Sequence, residues 1–344
     1  MRSILTISIC TLAAVAAQAD DLVDIGLDGP YETRIVVDGL TNPSCVTFKP
    51  DGTLTVCDSG NGRVILVRDG KVTDYITGFA TEYWKVDPDT GKKRFKLGPL
   101  SAVWVDNNTL AVTNAGVGDG AETVMFYDGP GTADSGKATN PIGPTTDDDK
   151  DKGEGNLTGL SISSDRSTLY LGGQGADAAT WVLAVDVKSR KLTTAFSADK
   201  AGIDVNSPMA TIVGDDGHVL ALYSGAGGKD DGLIVKWNPK TMKPVGKWTL
   251  PGLTDPMGFA EMPQGGAYVV IDNNWSLTEV KDGRGALVVL PEGADEAEVR
   301  VTATKLKGPV SCAFSPANDF YIAQLGSEFD SDKGQVLKVS ATGR

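Results

Sequence analysis

Histidine is nearly absent: the 344 residues contain one, His218. Zinc sites and Ser-His-Asp relays draw on imidazole, and His218 stands in the polar stretch GDDGHV (214–219), which reads as a solvated turn, so neither chemistry is expected. Positive charge is also short, 32 Lys plus Arg against 45 Asp plus Glu, for a formal net charge of −13. Such a surface repels phosphate backbones and anionic lipid, which removes nucleic acid and charged membranes from the expected partners. Beyond the N-terminus no apolar run approaches the roughly 20 residues that a membrane span requires.

Cysteine is sparse as well, four in all. One of them, Cys10, lies in MRSILTISICTLAAVAAQA, where Arg2, an apolar run from Ile4 to Ala16 and the small-x-small ending Ala17-Gln18-Ala19 have the grammar of a cleaved secretory signal. The expectation is a signal peptide over 1–19, a single domain over 20–344, and a periplasmic or extracellular location. Three cysteines then remain, so at most one bridge forms. Symmetric pairing about the Asp51 turn places Cys45 opposite Cys57. A rival bridge joins Cys45 to Cys312 across the seam between the chain's ends, and a reduced, buried set is the third possibility.

What is abundant is glycine, 42 residues, together with short β-type runs separated by turn dipeptides, the signature of an all-β chain. The runs repeat. GLTNPSCVTFKPDGTLTVCDSG (39–60) and KGPVSCAFSPANDFYIAQLGS (307–327) share Pro43/Pro309, Phe48/Phe314, Pro50/Pro316, Leu54/Phe320 and Val56/Ile322 in constant register. The same template fits residues 98–116, 156–173, 207–225 and 255–273, giving six copies. A third strand follows each (RVILV, TVMFY, WVLAV, LIVKW, ALVVL, QVLKV), and a fourth follows most (KVTDYI, KLTTAF, PVGKWT, RVTATKL), with none evident in the second copy.

Four antiparallel strands at a spacing of about fifty residues describe a propeller blade. The fold expected is a six-bladed β-propeller. Its last copy stops after three strands, while the N-terminal side carries an unpartnered one, ETRIVVDGL. Residues 32–37 are therefore expected beside residues 335–340, completing the last blade and closing the ring so that no inner edge is left bare.

The pattern G-L-x-x-P-x-x-x-x-F-x-P-D-G-x-L-x-V-x-D-x-G-N-x-R-V over 39–64 resembles that of the NHL-repeat and gluconolactonase-like six-bladed propellers, a group that includes calcium-dependent lactonases related to senescence-marker protein and paraoxonase. The resemblance covers the mature chain as architecture and speaks more of turns and core than of activity. In such a ring, residues just before each first strand and just after each second strand surround one mouth of the axial channel. The entering positions are Asn42, Gly98, Asn156, Ser207 with Asn206 beside it, Asp255 and Gly308. The returning positions are Asp58, Asn114, Gly173, Ser224, Asp272 and Gln324.

The resemblance implies a channel-top Ca2+ held by a first-blade glutamate, asparagines and an aspartate. Position by position, Asn156, Asn206 and Asp255 match, which suits the oxygen ligands calcium takes. The first-blade position is Asn42 rather than glutamate, and D-P-M-G (255–258) replaces the usual P-D-G. The implied reaction is lactone or ester hydrolysis, with Asp255 or Asp272 taking a proton from water. A quinone-dependent dehydrogenase on this fold would be expected to use a histidine base, which the turn position of His218 does not provide. The competing readings are a monomeric, non-catalytic propeller gripping a small molecule, peptide or glycan at the mouth, and asparagines that serve only as turn formers. Two insertions, 81–96 and the acidic 145–155, are expected to overhang the same mouth; the glycine-rich SGAGGKDDG (224–232) lacks the strand-to-helix context of a phosphate cradle.

Overall fold

The computed structural model describes residues 31–118, 121–129, 133–134, 139–142, 154–175 and 180–341. The segment 1–19 and most of the acidic loop 145–155 lie outside the described residues. Among the described residues six blade sheets form, each with its first strand innermost, besides one separate two-stranded sheet. Blade 1 runs Pro43–Phe48, Leu54–Asp58, Arg63–Arg68 and Lys71–Thr77. Blade 5 runs Pro256–Glu261, Tyr268–Asp272, Asp282–Val289 and Glu298–Lys307, and blades 2, 3, 4 and 6 start from Pro99–Trp104, Glu154–Ile162, Pro208–Val213 and Pro309–Phe314.

The ring closes as the unpaired copy requires. Strand Tyr31–Leu40 pairs antiparallel with Gly334–Ala341, setting Thr33 opposite Val339 and Arg34 opposite Lys338. The fourth strand of blade 2, which its sequence does not announce, is Thr139–Ile142 against Thr123–Asp128, and Ala133–Asp134 adds a short parallel strand to the rim of blade 1. Both are short, and the first is also irregular in register, which explains their weak pattern.

Alternation of the strands sends apolar side chains to both faces of each sheet, and the core divides accordingly. One buried cluster fills each of the six seams: Cys57, Val64, Trp104 and Val112 between blades 1 and 2, for example, and Ile271, Cys312, Phe320 and Ile322 between blades 5 and 6. The seam between blades 6 and 1 buries Val37, Val56, Ile65 and Val336, so the strand that closes the ring also completes a core. Each such side chain contributes about 1.5–3 kcal/mol when fully buried.

Closure does not by itself cover the inner edges, contrary to the expectation from the ring alone. Side chains of neighbouring blades meet them instead. Ser44 Oγ donates to Pro99 O at 3.0 Å, Thr158 Oγ1 to Pro208 O at 2.7 Å, and the Val46 and Leu160 amides donate to Ser311 Oγ and Ser101 Oγ. Five first strands begin with proline and bulge within the next three residues, which spares the ladder a donor where the strand bends into the channel.

All three described cysteines are free and buried. Cys45 does stand opposite Cys57 in register. The rival partnership with Cys312 fails on direction: Cys45 Sγ donates toward Ala102 O of blade 2, and Cys312 Sγ toward Val269 O of blade 5, so the two face away from the seam they would have to cross.

Candidate functional site

The inner strands surround a cavity of about 800 Å³. Asn156, Asn206 and Asp255 line it together, with Ser207, Ser224 and Asn273 near them in the chain, and the rings of Trp84, Phe95 and Trp275 share its wall. At the other end of the inner strands stand Thr47, Glu261 and Phe314. Aromatic rings beside short oxygen-bearing side chains form a surface that takes the apolar face of a ligand and bonds its hydroxyls.

The rings are held by the insertion at 81–96, which forms a two-stranded hairpin, Glu82–Val86 and Lys93–Leu97. It reaches across the mouth to two other blades. Asp330, in the blade 6 loop, accepts the Lys96 amide at 2.7 Å and the Phe95 amide at 3.2 Å, while Arg94 donates to Thr278 O of the blade 5 loop at 3.3 Å. Phe95 stacks on Trp275 with centroids 5.9 Å apart and meets Phe329 at 4.6 Å. Its φ of 56° is left-handed, a conformation that costs a bulky residue about 1–2 kcal/mol and here aims the ring inward. Tyr83 and Trp84 remain more than a third exposed, so they are not core beneath the loop.

Asn42 explains the departure from the lactonase pattern. Its amide nitrogen donates to Asp330 Oδ1 at 2.6 Å and Lys96 O at 3.1 Å, and its Oδ1 accepts the Asp330 amide at 3.2 Å. The residue at the position for which the resemblance implies a metal-binding glutamate is thus spent on fastening the hairpin. Asn42, Asn156 and Ser207 also share φ values of 47°, 60° and 56°. Asparagine tolerates that region better than most residues, so backbone shape alone accounts for its presence at two of these positions.

The returning positions have a structural use. Asp58 Oδ1 accepts the Thr41 amide at 2.8 Å, Asp272 Oδ1 the Asp255 amide at 2.8 Å, and Gln324 Oε1 the Lys307 amide at 3.0 Å, each pinning the start of its own blade. The second oxygens of both aspartates face cross-strand arginines: Arg63 Nε to Asp58 at 2.7 Å, Arg284 Nε to Asp272 at 3.0 Å. Asp272 is fully buried and does not line the cavity. The expectation that it works as an acid-base group at the mouth is therefore corrected: its oxygens are occupied by N–H donors from Asp255, Asn274 and Arg284, and it is not among the residues that line the cavity. The sequence signal was present in D-x-G-N-x-R, where the arginine opens the third strand opposite the aspartate; in blade 5 a longer loop stretches the spacing and hides it.

Asp255 is different. It lies on the cavity wall, and Gly228 and Trp275 donate their amides to its two oxygens at 2.9 and 2.8 Å. No cation pairs with it among the described residues. Burial, reinforced by the charge of Asp272, raises its carboxyl above the ordinary range despite those N–H bonds. It also ties the blade 4 loop to the blade 5 loop. Gly227 is small for this reason, since a Cβ there would come within 2.9 Å of the Trp275 ring.

As a calcium site the wall supplies one uncompensated carboxylate and the amides of Asn156 and Asn206, with Asn206 Oδ1 already accepting from Ser207 Oγ at 3.0 Å. That is half or less of the six to eight oxygens calcium takes. No group of three His, Cys, Asp or Glu side chains converges among the described residues. The donor set fits a cation completed by water and ligand oxygens, and not one caged by protein. His218 lies at the other end of the blade 4 hairpin, 3.1 Å from Asp216 and 3.3 Å from Asn238.

No family model matches the chain, and no curated protein matches it in sequence. Solved structures do match in fold. The PQQ-bound aldose sugar dehydrogenase of Streptomyces coelicolor is 12% identical, with a TM-score of 0.59 over 90% of this chain and 98% of that one. The soluble aldose sugar dehydrogenase of Escherichia coli, in its apo form, is 14% identical, with a TM-score of 0.58 over 90% and 99%. A structure described as a "putative gluconolactonase" is 13% identical, with a TM-score of 0.57 over 94% of each chain. At these identities the likeness is one of architecture, and it joins this chain to sugar-oxidising and gluconolactonase-like proteins as a six-bladed β-propeller.

Proposed function

We propose that the axial cavity binds a polyhydroxylated, sugar-like ligand and that the protein hydrolyses a lactone or ester bond within it. The observation that carries this reading is Asp255: a desolvated carboxylate without a cationic partner, on a wall that also presents aromatic rings. Phe95 and Trp275 cover the ligand's apolar face, while Asn156, Asn206 and Ser207 bond its hydroxyls. A carboxyl with raised proton affinity is suited to take a proton from attacking water and return it to the departing alcohol. The hairpin keeps bulk water from the mouth. A calcium ion on Asn156, Asn206 and Asp255 would polarise the carbonyl when bound. Residues 1–19 direct export in this reading.

Quinone chemistry of the kind housed by the Streptomyces enzyme would call for a channel histidine, and His218 lies on the other rim. Binding without turnover is the second reading, favoured by the isolation of Asp272, which leaves one carboxylate at the mouth. The test is a panel of aldonolactones and simple esters, with and without calcium, read by product formation and by melting temperature. Turnover lost in Asp255→Asn supports hydrolysis. A ligand-dependent rise in melting temperature without turnover supports the binding reading, and no response to any lactone, sugar or calcium defeats both.

A further inference from the structure

Cys45 and Cys57 have no role in the proposed hydrolysis, yet their placement is unequal in a way that suggests chemistry. They are directly opposed in the first hairpin of blade 1. Opposed residues of an antiparallel pair have Cα atoms about 4.5–5.5 Å apart, inside the span a disulfide bridges. Both side chains pack in the same buried cluster between blades 1 and 2. Cys45 lines the axial cavity, with Ser101 Oγ donating toward its sulfur at 3.9 Å. Cys57 is wholly buried and does not line this cavity. Cys312 also borders the cavity but has no second cysteine opposite it, its register partner being Ile322.

We propose that Cys45 and Cys57 form a reversible dithiol–disulfide couple in the channel wall, in which Cys45 is the attacking thiol and Cys57 resolves. The oxidant is a small disulfide that enters the cavity, with glutathione disulfide as the probe. Cys45 loses its proton and attacks one sulfur of the probe; the probe's S–S bond breaks, and the departing thiolate takes up a proton. The mixed disulfide at Cys45 is then attacked by Cys57, which gives up its own proton as the second glutathione leaves protonated. Two protein thiols are oxidised and one disulfide is reduced to two thiols. The neighbouring Cys57 thiol and the Ser101 hydroxyl lower the proton affinity of Cys45, whereas burial pushes Cys57 up, in keeping with this division of labour. The couple does not depend on the sugar-like ligand.

The folded, full chain is first reduced, then incubated with glutathione disulfide, and its remaining thiols are alkylated and located by peptide mass. The expected result is loss of two thiols, an internal Cys45–Cys57 link, and Cys312 still free. Cys57→Ser should hold a stable glutathione adduct on Cys45, and Cys45→Ser should leave Cys57 unmodified until the protein is unfolded. Should serine in the core prevent folding, Cys57→Ala serves the same purpose. Cys45, Cys57 and Cys312 all remaining as thiols in the folded protein, preferential modification of Cys312, or unchanged oxidation of Cys57 in Cys45→Ser would each overturn the proposal.

Discussion

Blades 1 and 5 are built on the same corner and put it to different ends. In each, a fully buried aspartate closing the second strand accepts the amide that opens the blade and pairs with an arginine across the ladder: Asp58 with Arg63, Asp272 with Arg284. They part at the residue that enters the first strand. Asn42 is consumed by Asp330 and the hairpin, whereas Asp255 faces the cavity. The repeat therefore supplies the frame, and the candidate site stands where one copy departs from it.

The corner is the first place to break this comparison. Asp58→Ala and Asp272→Ala should each cost about 3 kcal/mol, because an arginine and a buried amide lose their partner together; urea denaturation of the two variants measures it. A loss near zero in blade 5 alone would mean that Asp272 is not the strut its geometry describes. Asp330→Ala should have a smaller effect, about 1–2 kcal/mol, and should raise the accessibility of Trp84 and Trp275 to a fluorescence quencher, since the hairpin loses its fastening.

Asn156 separates turn from ligand. Asn156→Ala should cost about 1 kcal/mol, because alanine lacks the short polar side chain that lets asparagine tolerate a left-handed turn, while Asn156→Gly should be nearly neutral because glycine accepts the conformation. If Asn156→Gly keeps the melting-temperature response to calcium or lactone, the amide is a turn former and nothing more. The smallest effect is in pH. With its carboxyl raised, Asp255 contributes stability that is complete below the ordinary aspartate range, near pH 4, and that is lost as pH rises through its folded value. Asp255→Asn should flatten that segment of the stability curve, measured as denaturation midpoints from pH 4 upward. An unchanged slope would remove Asp255 as a strained acid.

The architecture was legible because its information is periodic: proline at a fixed offset marks the bulge in five of the six blades, apolar residues at fixed offsets mark the seams, and the three-stranded last copy has one unpartnered strand to take up. The site was legible in part. Chain order places Asn156, Asn206 and Asp255 at equivalent corners, so their sharing one cavity follows from symmetry. The fate of a side chain at its corner does not follow. Asn42 is bonded to a residue 288 positions away, and Asp272 to an arginine displaced by an irregular loop, and neither relation has a period to reveal it. The direction of Cys312 was likewise a matter of neighbours, decided by Val269 of the adjoining blade.

The pairing of Tyr31–Leu40 with Gly334–Ala341 has a mechanical meaning. A stack of repeats frays from its outermost unit, but a hoop has none. No sheet can peel away without parting two apolar seams at once, so loosening has to start at the clasp between the strands nearest the two termini. Resistance to denaturant should therefore be governed by that joint far more than its share of the residues suggests.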